Sequence, residues 1–190
     1  MTDHYTEGKI FKATDFTEKS LPKGEYENCV FDGCVFQNSD LRGVVFIDCE
    51  FRNCDLSMAN LLDAAFREVQ FTGCKLLGLH FENCTKFLLS MSFEDSQLNL
   101  SSFYKLSLKG AKFKNCNLRE ADFSEADLTS ATFSHCDLTG ATFDHTTLEK
   151  ADLRTSTNYA IDPGKNRIRK ARFSLPEVIG LLSGYDIDIT

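Results

Sequence analysis

The residues best equipped for chemistry come in pairs. CVFDGCVF, residues 29 to 36, sets Cys29 and Cys34 five apart, and CEFRNCDL, residues 49 to 56, does the same with Cys49 and Cys54 twenty residues later. Such thiols could hold a metal, form disulfides or obey a packing rule. Metal sites favour CxxC or similar spacing with convergent ligands, which five-residue spacing does not supply. His135 and His145 lie ten residues apart, and His4 and His80 have no evident partners. No strand, Gly-rich loop and helix unit offers a phosphate cradle. The sequence therefore predicts no catalytic residues, no metal and no cofactor.

What positions these thiols is a repeat. From Phe11, every fifth residue is large and apolar: Phe11, Phe16, Leu21, Tyr26, Phe31, Phe36 and onward to Leu76 and Phe81. After a slip of two residues near Lys86 and Phe87 the series resumes at Leu88 and runs to Leu153. A period of five matches neither the 3.6 of a helix nor the 2.0 of a flat strand. A longer period of twenty stacks like on like, as in Phe31, Phe51 and Phe71 or Leu98, Leu118 and Leu138. Twenty residues thus make one coil with four walls. At about 4.8 Å per coil, roughly seven coils give a rod of about 35 Å.

The residue two before each central one is usually small, and seven of the eight cysteines fall there. A tight coil needs a narrow second inward position, and free cysteine is a compact, commonly buried hydrophobe. Packing is therefore the favoured reading. Cys29 and Cys49 stack closely enough to approach disulfide distance, but with no signal peptide in the sequence thiols are expected. His135 and His145, half a coil apart, would point from opposite walls.

With 190 residues the chain suits one domain. No charged-then-apolar leader and no run of about 18 apolar residues is present, so a soluble, cytoplasmic protein without membrane contact is expected. Net charge is −7, which disfavours direct nucleic-acid binding.

ADFSE from 121, ADLTS from 126, CDLTG from 136 and ADLRT from 151 meet the consensus A(D/N)LXX, and the chain resembles the pentapeptide-repeat proteins on them. That resemblance implies an all-β fold: a right-handed quadrilateral parallel β-helix, here with a short C-terminal helix. CDLSMANL at 54 to 61 and FSHCDLTGATF at 133 to 143 look like segments of the quinolone-resistance (Qnr) branch. Relatives of that type are taken to mimic B-form DNA, to bind DNA gyrase or topoisomerase IV and to protect them from fluoroquinolones. Several carry one short and one long loop that engage the enzyme; this chain has only the two-residue slip. Lys86 and Phe87 are read there as a re-phasing bulge, with a small contact site as the alternative.

The repeat region spans 1–153, with its slip near 85–88. In 154–173 the next central positions would be Asn158 and Pro163, and NYAIDPGKN is expected to loop out before Ile168 and Phe173 complete a last coil. In 174–190, Ser174 and Glu177 read as a capping box, Pro176 lies in the first turn and Gly184 can stop the helix, which predicts a helix over about 175–183. Leu175, Val178, Ile179, Leu181 and Leu182 are too many to hide on one coil end. With Tyr185, Ile187 and Ile189 of a following strand they are read as a homodimer interface, as the Qnr resemblance implies; a helix capping its own solenoid is the alternative.

Residues 1–161 hold 24 acidic and 16 basic side chains, net −8, and 162–190 hold 4 and 5, net +1. That is roughly one net charge per coil, against nearly three for the same height of B-DNA. The gross acid count, about three per coil, allows mimicry where bases segregate to other walls. The candidate partner-binding patch is Glu120, Asp122, Glu125 and Asp127, with Asp144 and Glu149 above. The bland reading is that Asp122, Asp127, Asp137 and Asp152, as consensus residues, bond their own turns. Lys165, Arg167, Arg169, Lys170 and Arg172 form a basic cluster that meets a partner subunit or simply faces solvent. A structural scaffold with an unrelated partner is the alternative function.

Overall fold

The computed structural model describes residues 4–185, 187 and 188, wound into a parallel β-solenoid. One wall stacks β1 (His4–Glu7), β3 (Gly24–Glu27), β5 (Val45–Ile47) and β7 (Ala65–Arg67). The next stacks β2 (Ile10–Lys12), β4 (Val30–Asp32), β6 (Glu50–Arg52), β8 (Val69–Thr72), β9 (Met91–Glu94), β10 (Lys112–Lys114) and β11 (Thr132–Ser134). The other two walls are held by single parallel bridges such as Asp55↔Lys75 and Ser102↔Asp122. All are in the twenty-residue register, as in Phe31↔Phe51, until Phe71 pairs with Phe93 across the slip.

The five-residue period follows from what each wall must do. Two residues point inward, and the chain then turns a corner in the left-handed region, for example at Asn28 (φ 51°), Asn53 (52°) and Asn115 (52°). Asn and Gly tolerate that region best; Met58 and Leu100 occupy it at greater cost. Inside, the central phenylalanines stack in near-parallel columns. Phe93–Phe113 and Phe113–Phe133 are 5.2 and 4.9 Å apart at 8° and 5°. Neighbouring columns meet edge-on, as Phe113 meets Phe123 at 85°, and both arrangements suit the ring quadrupole.

Three expectations need correction. Leu88 does not resume the inward series: it is 62% exposed with φ 56°, and Leu89 packs against the core instead. Both are leucines, so the period could not choose between them. The C-terminal helix is a 3-10 helix over Pro176–Leu181 whose N-cap is Leu175, with no capping side chain. The box of Ser174 and Glu177 is not formed, because the Glu177 carboxylate accepts the Asn158 backbone N–H at 3.0 Å. Tyr185, Ile187 and Asp188 form no strand, and Ile189 lies outside the described residues.

The expected loop at NYAIDPGKN is corrected as well: Tyr159 and Ile161 fill the interior where the repeat falters, because the coil still needs apolar filling there, and the Asn166 side chain bridges to the coil before it. Ile168 and Phe173 then pack against the core. No helix among the described residues is long and apolar enough to cross a membrane.

Candidate interaction surface

The second inward position does more than stay narrow. Cys54 Sγ donates to Phe31 O at 3.2 Å, Cys49 Sγ to Tyr26 O at 3.2 Å and Cys74 Sγ to Phe51 O at 3.3 Å. Ser101, Thr146 and Ser156 donate their hydroxyls the same way to Leu76, Phe123 and Phe133, each at 2.8 Å. Each satisfies a central carbonyl one coil back, which sequence reasoning missed. The signal was present in the exchange of Cys with Ser along one column, as in Cys116, Cys136 and Ser156. All eight cysteines are free and buried, and burial pushes the Cys49 thiol up to about 12. Among the described residues no cluster of His, Cys, Asp or Glu could hold a metal. His145 contacts Asp144 at 2.9 Å, while His135, on another wall, has its backbone N–H bonded to Thr155 one coil on.

The aspartates preceding central residues bond their own turns. Asp122 Oδ1 accepts the Ser124 N–H at 2.8 Å, and Asp127, Asp137 and Asp152 accept from Thr129, Thr139 and Arg154. Partial burial opposes ionisation of Asp137, but bonds from Thr139, Asn158 and Arg119 outweigh it and hold its pKa at about 2. Bonds from Arg42, against a smaller desolvation cost, bring Asp40 to about 2 as well.

Much of the candidate patch carries its own counter-charge. Glu125 pairs with Lys105 at 3.3 Å and accepts the Tyr104 hydroxyl at 3.0 Å; Asp127 pairs with Lys109 at 3.3 Å. Glu120 and Glu149 form no ion pair among the described residues. These pairs join adjacent coils at separations of 18 or 20, a signal the sequence period already contained.

At the slip, Lys86 and Phe87 stand outside the wall, with Phe87 68% exposed and its ring 5.8 Å from the Arg67 guanidinium. Beside it lies a polar groove of about 690 Å³, with Asp48 and Glu68 at one end and Lys109 and Lys112 at the other. At the C-terminus, Leu175, Val178, Ile179, Leu182, Tyr185 and Ile187 are exposed, while Leu181 packs against the core.

The family model "Pentapeptide repeat region" matches residues 19–86 and 44–123, and "Pentapeptide repeats (8 copies)" matches 107–144 and 121–157. Among solved structures, HetL, a pentapeptide repeat protein involved in heterocyst differentiation regulation in the cyanobacterium Nostoc sp., superposes with a TM-score of 0.58 at 20% identity. That match covers 91% of this chain and 85% of HetL. A trypsin-treated form of QnrB1, a plasmid-mediated fluoroquinolone resistance protein, gives 0.49 at 23% identity over 98% of this chain and 92% of that one. A pentapeptide repeat protein from the Arabidopsis thaliana thylakoid lumen gives 0.40 at 22% identity over 65% and 70%. No curated protein sequence matches the chain.

Proposed function

The chain belongs to the pentapeptide-repeat family, and from that premise we propose that it binds type II topoisomerase, DNA gyrase or topoisomerase IV, as a DNA-mimicking ligand and shields it from fluoroquinolones. The observation that carries this reading is a rod with carboxylates fixed at regular steps. Asp40, Asp122, Asp127, Asp137 and Asp152 are each locked by a backbone N–H two residues on. All but Asp122 also hold a basic partner. The unscreened charge of the candidate patch is therefore that of Asp122 with Glu120 and Glu149, which form no ion pair among the described residues. Asp40 and Asp137 stay ionised far below neutrality. Charges that need no ordering on binding lose little entropy there. The Qnr-like segments at 54–61 and 133–143 add to this. The role is binding rather than catalysis, in the cytoplasm, where the eight buried thiols stay reduced.

The exposed apolar residues at the C-terminus, from Leu175 to Ile187, suit a homodimer joined end to end. Ile179→Asp giving a monomer by sedimentation is the expected sign, and an unchanged dimer would count against it.

The test of function is gyrase supercoiling with purified protein, with and without a fluoroquinolone. Rescue of drug-inhibited supercoiling is expected; no effect in either arm would overturn the reading. The second reading, a scaffold for an unrelated partner, draws on the ion pairs that neutralise Glu125 and Asp127. A pull-down that returns topoisomerase subunits would argue against it.

A further inference from the structure

We infer that a second copy of this chain docks antiparallel on the wall carrying β1, β3, β5 and β7, with the two-fold axis through the slip. Going up this wall, the central residues are Thr6, Tyr26, Phe46 and Phe66, then Leu89 at the slip, then Leu108, Leu128, Leu148 and Ile168. The slip is therefore the middle row, with four rows on either side.

The wall's charges divide at that row. Below it the outward residues include Glu7, Glu25, Glu27, Asp48 and Glu68 against Arg67 alone, five negative and one positive, net −4. Above it are Lys109, Lys150, Arg167, Arg169 and Lys170 against Asp127 and Glu149, five positive and two negative, net +3. Corner residues on the preceding side, Lys23, Asp63, Lys105, Glu125 and Lys165, sum to +1. Among the described residues, Glu7, Glu25, Asp48 and Glu68 form no ion pair, nor do Lys150, Arg167, Arg169 and Lys170. At the boundary, Phe87 and Leu88 are 68% and 62% exposed.

A two-fold axis through the middle row sets each row against its mirror. Glu7 faces Arg167, Arg169 and Lys170, which carries most of the attraction; Glu25 and Glu27 face Glu149 and Lys150, and Arg67 and Glu68 face Lys109, rows that come out near neutral. Asp48 falls opposite Asp127, a like-charge meeting softened because Asp127 already holds Lys109 at 3.3 Å. The Phe87 and Leu88 side chains of the two copies meet on the axis, which makes the contact isologous. A parallel arrangement would instead set the net-negative half against its own copy and the net-positive half against its own. The wall measures about 38 Å by roughly 12 Å, so the two copies together bury about 900 Å². That is well below the roughly 1,600 Å² of a standard interface, and the association is correspondingly weak and salt-sensitive. An end-on C-terminal contact leaves this wall free.

Phe87→Cys provides the test, because the eight native cysteines are buried and the new thiol lies on the axis. End-on dimers would hold the two thiols about 40 Å apart, so a disulfide reports the lateral contact alone. The expected result is a disulfide-linked dimer at about 0.1 M salt that falls at least tenfold at about 1 M, where the Debye length shortens from about 10 to 3 Å. Adding Glu7→Lys with Glu25→Lys should abolish the cross-link, and further adding Arg167→Glu, Arg169→Glu and Lys170→Glu, which sets the new lysine at position 7 against three carboxylates, should restore it. Restoration cannot arise from misfolding. Absence of the cross-link at every salt concentration, or a cross-link indifferent to salt and to both charge reversals, would overturn the inference.

Discussion

At the scale of single residues, the inward cysteines are structural donors as much as fillers. Cys54 donates to Phe31 O while its sulfur accepts the Cys34 N–H at 3.4 Å. Serine at the same kind of position, as at 101 and 156, keeps the donor. Cys54→Ser should therefore cost no more than about 1 kcal/mol, whereas Cys54→Ala removes the second donor to a carbonyl already in the ladder and opens a void, for about 2 kcal/mol. Urea midpoints of the two variants check the order; equal losses would mean that the thiol only fills space. Asp137 gives a second case. Its folded pKa, about 2, lies below its unfolded value near 3.8, so protonation favours the unfolded chain. Its stabilisation is present above about pH 4 and is lost as pH falls towards 2. Asp137→Asn retains an Oδ1 acceptor for the Thr139 N–H and should flatten the acid limb of a Tm-versus-pH profile. A limb as steep as the parent's would place the acid sensitivity elsewhere.

At the scale of the element, the slip is the informative defect. Deleting Lys86 and Phe87 joins Cys84 and Thr85 directly to Leu88, which puts Leu88 on the inward beat and restores a twenty-residue coil through Met91 and Phe93. The shortened chain should fold with stability within about 2 kcal/mol of the parent, since shortening a loop changes closure entropy only slightly. Chemical denaturation measures this, and a loss several-fold larger would show that the bulge itself braces the two halves. The slip also marks how far the sequence was legible. Period, coil length and inward columns could be read from apolar spacing, because burial forces a large residue at every fifth position. Leu88 versus Leu89 could not, since hydrophobicity is the same for both and only backbone geometry chooses. The failed capping box has a similar cause: Ser174 and Glu177 had the right spacing, but Asn158, nineteen residues earlier, claimed the carboxylate. The acidic patch was located by composition, whereas pairing between coils, which neutralises Glu125 and Asp127, is a tertiary property.

At the scale of the whole molecule, charge is distributed by coil geometry rather than by sequence neighbourhood, and that decides which carboxylates a basic groove could feel. Lys105 and Lys109 sit one coil before Glu125 and Asp127 and screen them. Glu120 and Glu149 have no such partner among the described residues. If the rod enters a topoisomerase as DNA does, reversing an unscreened carboxylate should hurt more than reversing a screened one. Glu125→Lys also frees Lys105, so it changes local charge as much as Glu120→Lys does; what differs is the field before substitution. Glu120→Lys with Glu149→Lys is expected to weaken gyrase binding about tenfold or more at about 0.1 M salt, and Glu125→Lys only a few-fold. The gap should close near 1 M salt, where the Debye length is about 3 Å. Titration of labelled protein with gyrase at both salt concentrations reads all three numbers. Equal losses for the two classes of variant would mean that net charge matters and local pairing does not, and binding unmoved by any reversal would leave the rod without a DNA-like mode of recognition.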